Sequence, residues 1–89
     1  MKSIKIIVQG KVQGVFFRDN AMKKAKQLLL NGYVKNLANG SVEIVAQGEK
    51  NKIDELIRFI KNGPGLAKIE KINVCEIEFD RLEEFKITY

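Results

Sequence analysis

Tyr33-Val34-Lys35-Asn36-Leu37-Ala38-Asn39-Gly40-Ser41-Val42-Glu43-Ile44-Val45-Ala46-Gln47-Gly48 reads as a β-hairpin in the middle of the chain. Asn39-Gly40 is the turn: both residue types tolerate positive φ, and the pair predicts a type I′ connection. Tyr33 to Leu37 is the strand entering it. Ser41 to Gly48 leaves it with period-two alternation, Val42, Ile44 and Ala46 on one face and Glu43 and Gln47 on the other.

Moving outward from the hairpin, the period changes to that of a helix on both sides. Phe17, Ala21, Ala25 and Leu28/Leu29 fall on one helical face, with Lys23, Lys24 and Gln27 opposite. Asn31-Gly32 is the expected stop, because Gly adopts the left-handed backbone that closes a last turn. Downstream, Asn51 to Asn62 carries the stripe Ile53, Leu56, Ile57 and Ile60, and Gly63-Pro64-Gly65 ends it. Farther out still, Lys2 to Gly10 alternates as a half-buried strand, with Ile4, Ile6 and Val8 on one side and Lys5 and Gln9 on the other. Ala67 to Phe79 is extended, but its apolar parity slips twice, which predicts a bulge without placing it. Phe85, Ile87 and Tyr89 make a short last strand.

Strand, helix, strand, strand, helix, strand is the order of the split βαβ unit. The expected fold is α+β: a ferredoxin-like α/β sandwich, βαββαβ, with an antiparallel sheet, both helices on one face and a short extra C-terminal strand. The 89 residues show no internal repeat or linker and are read as one domain, 1–89. A chain of this size buries roughly 64% of the surface its unfolded form exposes, enough for one core without staples.

Composition narrows the chemistry. There is no His, which excludes a Ser-His-Asp triad, a Cys-His dyad, a His-ligated zinc and any imidazole base. The one cysteine, Cys75, excludes an intrachain disulfide and a multi-cysteine metal site, and its charged surroundings contain no His to activate it. No oxygen-rich metal cluster is visible, so no metal and no cofactor is expected. The net charge of +5 suits anionic partners, either small phosphates or nucleic acid, but the lysines are spread along the chain, and a generic solvated Lys-rich surface is the favoured reading over a nucleic-acid face. No apolar run approaches the ~20 residues of a membrane span. Met1-Lys2-Ser3-Ile4-Lys5 lacks the pattern of a signal peptide, and the expected location is the cytoplasm.

The stretch that carries chemistry is Gly10-Lys11-Val12-Gln13-Gly14-Val15-Phe16-Phe17-Arg18, read as a loop from the first strand into the first helix. Loop amides and the unpaired N–H groups of a first helical turn make an anion cradle at the positive end of the helix dipole. Arg18 adds a planar fork that matches two phosphate oxygens. Phe16 and Phe17 anchor the loop, one into the core and one nearer the surface. Taken alone, the same residues also fit a plain glycine-containing connector with a surface arginine, and the Gly-Lys-Ser/Thr ending of a Walker loop is absent. Asn36 sits within a strand candidate against its propensity, which marks it as functional, unless it merely faces solvent or supports the coming turn, the reading the residue alone favours. Asp19, in the first helical turn, is favoured there by the dipole whether or not it has a catalytic role.

These residues resemble the acylphosphatase family. The likeness rests on Gly10 to Arg18, Gly32-Tyr33-Val34-Lys35-Asn36, Asn39-Gly40-Ser41-Val42-Glu43, Gly63-Pro64-Gly65 and Phe85-Lys86-Ile87-Thr88-Tyr89, and it spans nearly the whole chain. It implies a hydrolase that splits acyl phosphates into a carboxylate and inorganic phosphate, without a metal. Arg18 would bind the phosphoryl group and Asn36 would orient the attacking water. The backbone of Gly10, Lys11, Val12, Gln13, Gly14, Val15, Phe16 and Phe17 would cradle the phosphate. Inorganic phosphate, the product, would compete with substrate, and the protein would work as a monomer. Two positions depart from the family pattern: Tyr33 stands where Trp is frequent, and Ala21 where many members carry a Thr that ties the helix to the cradle.

Two other classes fit the element order. An RNA-recognition module shares it, but needs exposed aromatics on its central strands, and Ser41 to Gly48 has none. A non-catalytic anion sensor would bind phosphate without hydrolysis.

Overall fold

The computed structural model describes residues 1–89. The chain runs β1 (Lys2–Lys11), α1 (Phe17–Gln27), β2 (Asn31–Asn36), β3 (Val42–Gly48), α2 (Lys50–Lys61), β4 (Lys68–Glu76) and β5 (Lys86–Ile87). The strands form one sheet in the order β4-β1-β3-β2-β5. β1 pairs antiparallel with β3 and β4, and β2 antiparallel with β3, which is the expected ferredoxin-like arrangement. The short β5 adds to β2 in parallel, so the five-stranded sheet is mixed.

The alternation seen in the sequence decides which face is covered. Ile4, Ile6 and Val8 of β1, Val34 of β2, and Val42, Ile44 and Ala46 of β3 pack in one cluster with Phe17, Ala21 and Ala25 of α1 and Ile53, Leu56 and Ile60 of α2. Both helices therefore lie on one side of the sheet. Each large apolar side chain fully buried there contributes about 1.5–3 kcal/mol. Phe17, 1% exposed, ties the first turn of α1 to that core.

Three local expectations are corrected. Asn31-Gly32 does not end α1, because the helix closes earlier, on a leucine. Leu28 is the C-cap and Leu29 takes the left-handed position at φ 58. Leu29 N–H donates to the Lys26 carbonyl and Leu30 N–H to the Ala25 carbonyl, both at 3.0 Å, a Schellman closure. Gly32 belongs to β2, where a Cβ would overlap the Val45 carbonyl of the neighbouring strand, and that close approach is what requires glycine. The hairpin, secondly, is not type I′. Gly40 N–H donates to the Leu37 carbonyl, and only Gly40, at φ 92, is left-handed. Leu37 N–H donates to the Ser41 carbonyl, so the loop is the three-residue kind, a turn followed by a left-handed glycine. The Asn39 side chain supports it by accepting from Ser41 N–H at 3.0 Å. Thirdly, the loop after β1 starts later than expected, because Gly10 and Lys11 are still paired with Ile69 and Lys68 of β4.

The β4 bulge can now be placed. Gln9 faces Lys71 while Gly10 faces Ile69, which leaves Glu70 as the extra residue. It accounts for the first slip in parity, from Ile69 to Ile72. The second slip marks the end of the strand, where the chain leaves β4 and crosses to the other edge of the sheet. Gln47, 6% exposed, holds that crossing segment. Its amide donates to Ser3 Oγ at 2.9 Å and to the Phe79 carbonyl at 3.1 Å, and its Oε1 accepts from Leu82 N–H at 3.1 Å. The crossing delivers β5 alongside β2.

Candidate active site

The connection from β1 to α1 is short and sharply curled. Gly14 has φ 73 and Phe16 has φ 60, ψ 20, with Val15 between them at negative φ. Alternation of this kind turns successive N–H groups toward one side, forming a nest for an anion. Nothing lies within 4 Å of where a Gly14 Cβ would stand, so backbone conformation alone requires the glycine. Phe16 holds the left-handed conformation without that freedom, at a cost of about 1–2 kcal/mol.

The amides of this segment are free of protein partners. From Val12 to Asp19 no main-chain N–H donates to a backbone carbonyl, and the first intrahelical bond is Asn20 N–H to the Phe16 carbonyl at 3.1 Å. No side chain caps α1. The donors at the positive end of an eleven-residue helix are thus unpartnered, and residues of the same segment line a cavity of about 340 Å³. Val12, Gly14, Phe16, Phe17, Arg18, Asp19 and Ile87 line it, and the volume falls in the range of small-molecule sites, roughly 300–1,000 Å³. Val12 and Phe17 are each 1% exposed and form its floor, whereas the Phe16 ring is 80% exposed at its rim. The expected division of the two phenylalanines is therefore observed.

Arg18 is the cation of this cavity. Its guanidinium carbon lies 5.3 Å from the centroid of the Tyr89 ring, within cation–π range. Asp19 shares the wall, but Lys23 Nζ is 2.9 Å from its carboxylate, one turn along the helix, which fits the structural reading of that residue.

Asn36 does not line the cavity. It ends β2, and two ties bring it to the loop. One is Gln13, whose amide donates at 2.9 Å to the Leu37 carbonyl and at 2.9 Å to that of Ser41. The other is β5: Tyr33 faces Lys86, Val34 faces Ile87, and Thr88 N–H donates to the Val34 carbonyl at 2.9 Å. Continued in parallel, that register sets Tyr89 level with Asn36, and Tyr89 is the residue that touches Arg18. The Asn36 Oδ1 is buried, and no protein donor reaches it. A buried acceptor left so costs about 1–3 kcal/mol, a cost that a hydrogen bond from water or ligand would remove.

Of the residues expected at the site, Val12 to Arg18 form the curled segment, Gly10 and Lys11 lie in the strand leading to it, and Asn36 ends β2 outside the lining of the cavity. Two side-chain contacts go beyond what the sequence predicts: the Gln13 amide, expected only to lend its backbone, ties the loop to the β2–β3 connection, and the Tyr89 ring lies against Arg18. No local pattern marks either, since both act on partners distant in sequence. Ala21, in place of a family threonine, is fully buried in the core, and the Gln13 amide holds the loop. A larger cavity of about 740 Å³, between the end of α1 and the start of α2, has Lys2, Lys50 and Lys52 on its walls but no curled amide segment and no guanidinium. No group of three or more acidic or cysteine side chains is arranged to hold a metal ion. No helix is long and apolar enough to cross a membrane.

Comparisons with known proteins bear on the family and the fold. The family model described as Acylphosphatase matches residues 4–87. An acylphosphatase of Syntrophus aciditrophicus is 41% identical over 90 residues, covering 100% of this chain and 94% of that protein. One from Coxiella burnetii is 44% identical over 84 residues, covering 94% of this chain and 88% of its own. The crystal structure of acylphosphatase from Bacillus subtilis superposes with a TM-score of 0.96 at 38% identity, each chain covered completely. With sequence and fold in accord over almost its whole length, the chain belongs to the acylphosphatase family of hydrolases.

Proposed function

We propose that the chain hydrolyses the carboxyl–phosphate bond of acyl phosphates without a metal ion, residues 1–89 acting as a single domain. The observation that carries this reading is the run of unpartnered main-chain N–H groups from Val12 to Asp19 beside the lone guanidinium of Arg18. The phosphoryl group sits in the nest, its oxygens accepting from those amides and from the Arg18 fork. Preorganised donors of this kind are worth about 10²–10³ in rate each. Phosphoryl transfer tends to a loose transition state, so positioning and charge stabilisation do most of the work.

Asn36 orients the water by accepting a hydrogen bond from it. A carboxamide is no base at pH 7, the chain has no His, and Asp19 is engaged by Lys23. The water oxygen attacks phosphorus, the bond from phosphorus to the acyl oxygen breaks, and the carboxylate leaves with the electron pair. The water's proton passes to an oxygen of the substrate's own phosphate. A carboxylate needs no proton to depart, which is why a site without an acid suffices.

The same reading has a cytoplasmic monomer, with inorganic phosphate, the product, competing for the cradle. The test is the rate of benzoyl phosphate hydrolysis by the purified protein in the presence of a chelator. Hydrolysis well above the buffer rate, inhibited competitively by phosphate, is the expected result. Phosphate binding without hydrolysis would make the protein an anion sensor instead, and a rate abolished by the chelator would overturn metal independence.

A further inference from the structure

We propose that the exposed ring of Phe16 is the contact that reads the acyl group, so that the site favours acyl phosphates with flat, apolar acyl groups over small polar ones. This rests on the hydrolase reading above and goes beyond it, since every contact named there grips the phosphate end.

Phe16 occupies a left-handed backbone position suited to glycine, and its ring is 80% exposed. Burial against the protein therefore does not account for an aromatic side chain there. Yet the ring stands in the wall of the cavity that holds Arg18. The other aromatic of that wall, Phe17, is turned into the core, as is Val12. With the phosphoryl group drawn to the amides, the other end of the mixed anhydride projects toward the rim, where the exposed Phe16 ring stands. A flat acyl group stacks on such a ring, and an acetyl group covers little of it. Tyr89, 96% exposed, is the second aromatic near the mouth, but it lies against the Arg18 guanidinium.

The experiment compares kcat/KM for benzoyl phosphate and for acetyl phosphate in the wild-type protein, Phe16→Ala and Phe16→Trp. The ratio of the two isolates the side chain, because a disturbed cradle acts on the phosphate end that both substrates share. In Phe16→Ala the benzoyl-to-acetyl ratio falls roughly three- to tenfold, chiefly through KM for benzoyl phosphate, and Phe16→Trp keeps it. A ratio unchanged within twofold, or both substrates falling together, overturns the role of Phe16 while leaving the hydrolase reading intact. A wild-type protein that splits neither compound overturns that reading, and this inference with it.

Discussion

The Arg18 guanidinium lies against the ring of Tyr89, 5.3 Å from its centroid, joining the first turn of α1 to the end of the strand segment that pairs with β2. Arginine carries long-chain rotamer freedom, and a ring on one side of the guanidinium limits it while leaving the donor edges open. A contact of this exposure is worth about 0.5–1 kcal/mol. Tyr89→Ala should weaken inhibition by phosphate two- to fivefold, and Tyr89→Phe, which keeps the ring, should not. Inhibition constants against benzoyl phosphate turnover measure both.

Arg18→Ala and Asn36→Ala should separate binding from water placement. On the proposed mechanism the first removes the fork for the dianion, so turnover should fall by about 10²–10³ or more and phosphate inhibition weaken with it. The second lowers turnover but largely spares phosphate affinity. Circular dichroism should show both folded, since neither side chain belongs to the core cluster. Identical phenotypes would refute the assigned division of roles.

Gln13 pins the loop through two bonds to the β2–β3 connection, each about 1 kcal/mol. Gln13→Ala leaves two carbonyls without that donor and frees the segment to move. A loss of about 1–2 kcal/mol in urea unfolding is expected, together with weaker phosphate inhibition. Loss of stability with unchanged inhibition would show that the tie serves the fold alone.

Leu29 holds φ 58 with its side chain 87% exposed, so its conformation is strained and little burial offsets the strain. Leu29→Gly should stabilise the protein by about 0.5–1 kcal/mol, the glycine's looser unfolded chain cancelling part of the relief. In a domain of this size that is a rise of roughly 2–8 °C in Tm, readable by calorimetry.

Tyr33 gives a pH signature. Burial, followed by the bond its hydroxyl donates to Glu43 at 3.0 Å, raises its pKa above the ordinary 10.0. The neutral phenol is the form the fold favours. Its contribution is therefore complete below pH 10 and is lost as pH climbs through the raised value. Unfolding free energies at pH 9 and pH 11 should fall more steeply for the wild type than for Tyr33→Phe. Equal slopes would mean that the hydroxyl is not linked to folding.

The order of elements, the covered face of the sheet and the Gly14 to Arg18 segment were legible from residues alone, because each depends on neighbours one to four positions apart. Period-two runs in β1 and β3 and the stripe of α2 specify which side is apolar whatever the topology. The helix end was not, since a leucine sits where glycine is the usual signal, and Gly32, a few residues on, offered a false stop. Its real reason is the Val45 carbonyl on the adjacent strand, which no local pattern reveals. The β4 bulge was visible as broken parity but needed the partner strand to give it a position.

The site divides in the same way. That a curled run of unpartnered amides and an arginine lie at the start of α1 follows from backbone chemistry within one short segment. What ties the end of β2 to that segment follows only from pairing: Gln13 reaches the β2–β3 connection, and β5 is carried across the sheet, under the hold of Gln47, to lie along β2. Chain propensities act over a few residues, whereas strand registers and side-chain ties join segments that only the packed core brings together.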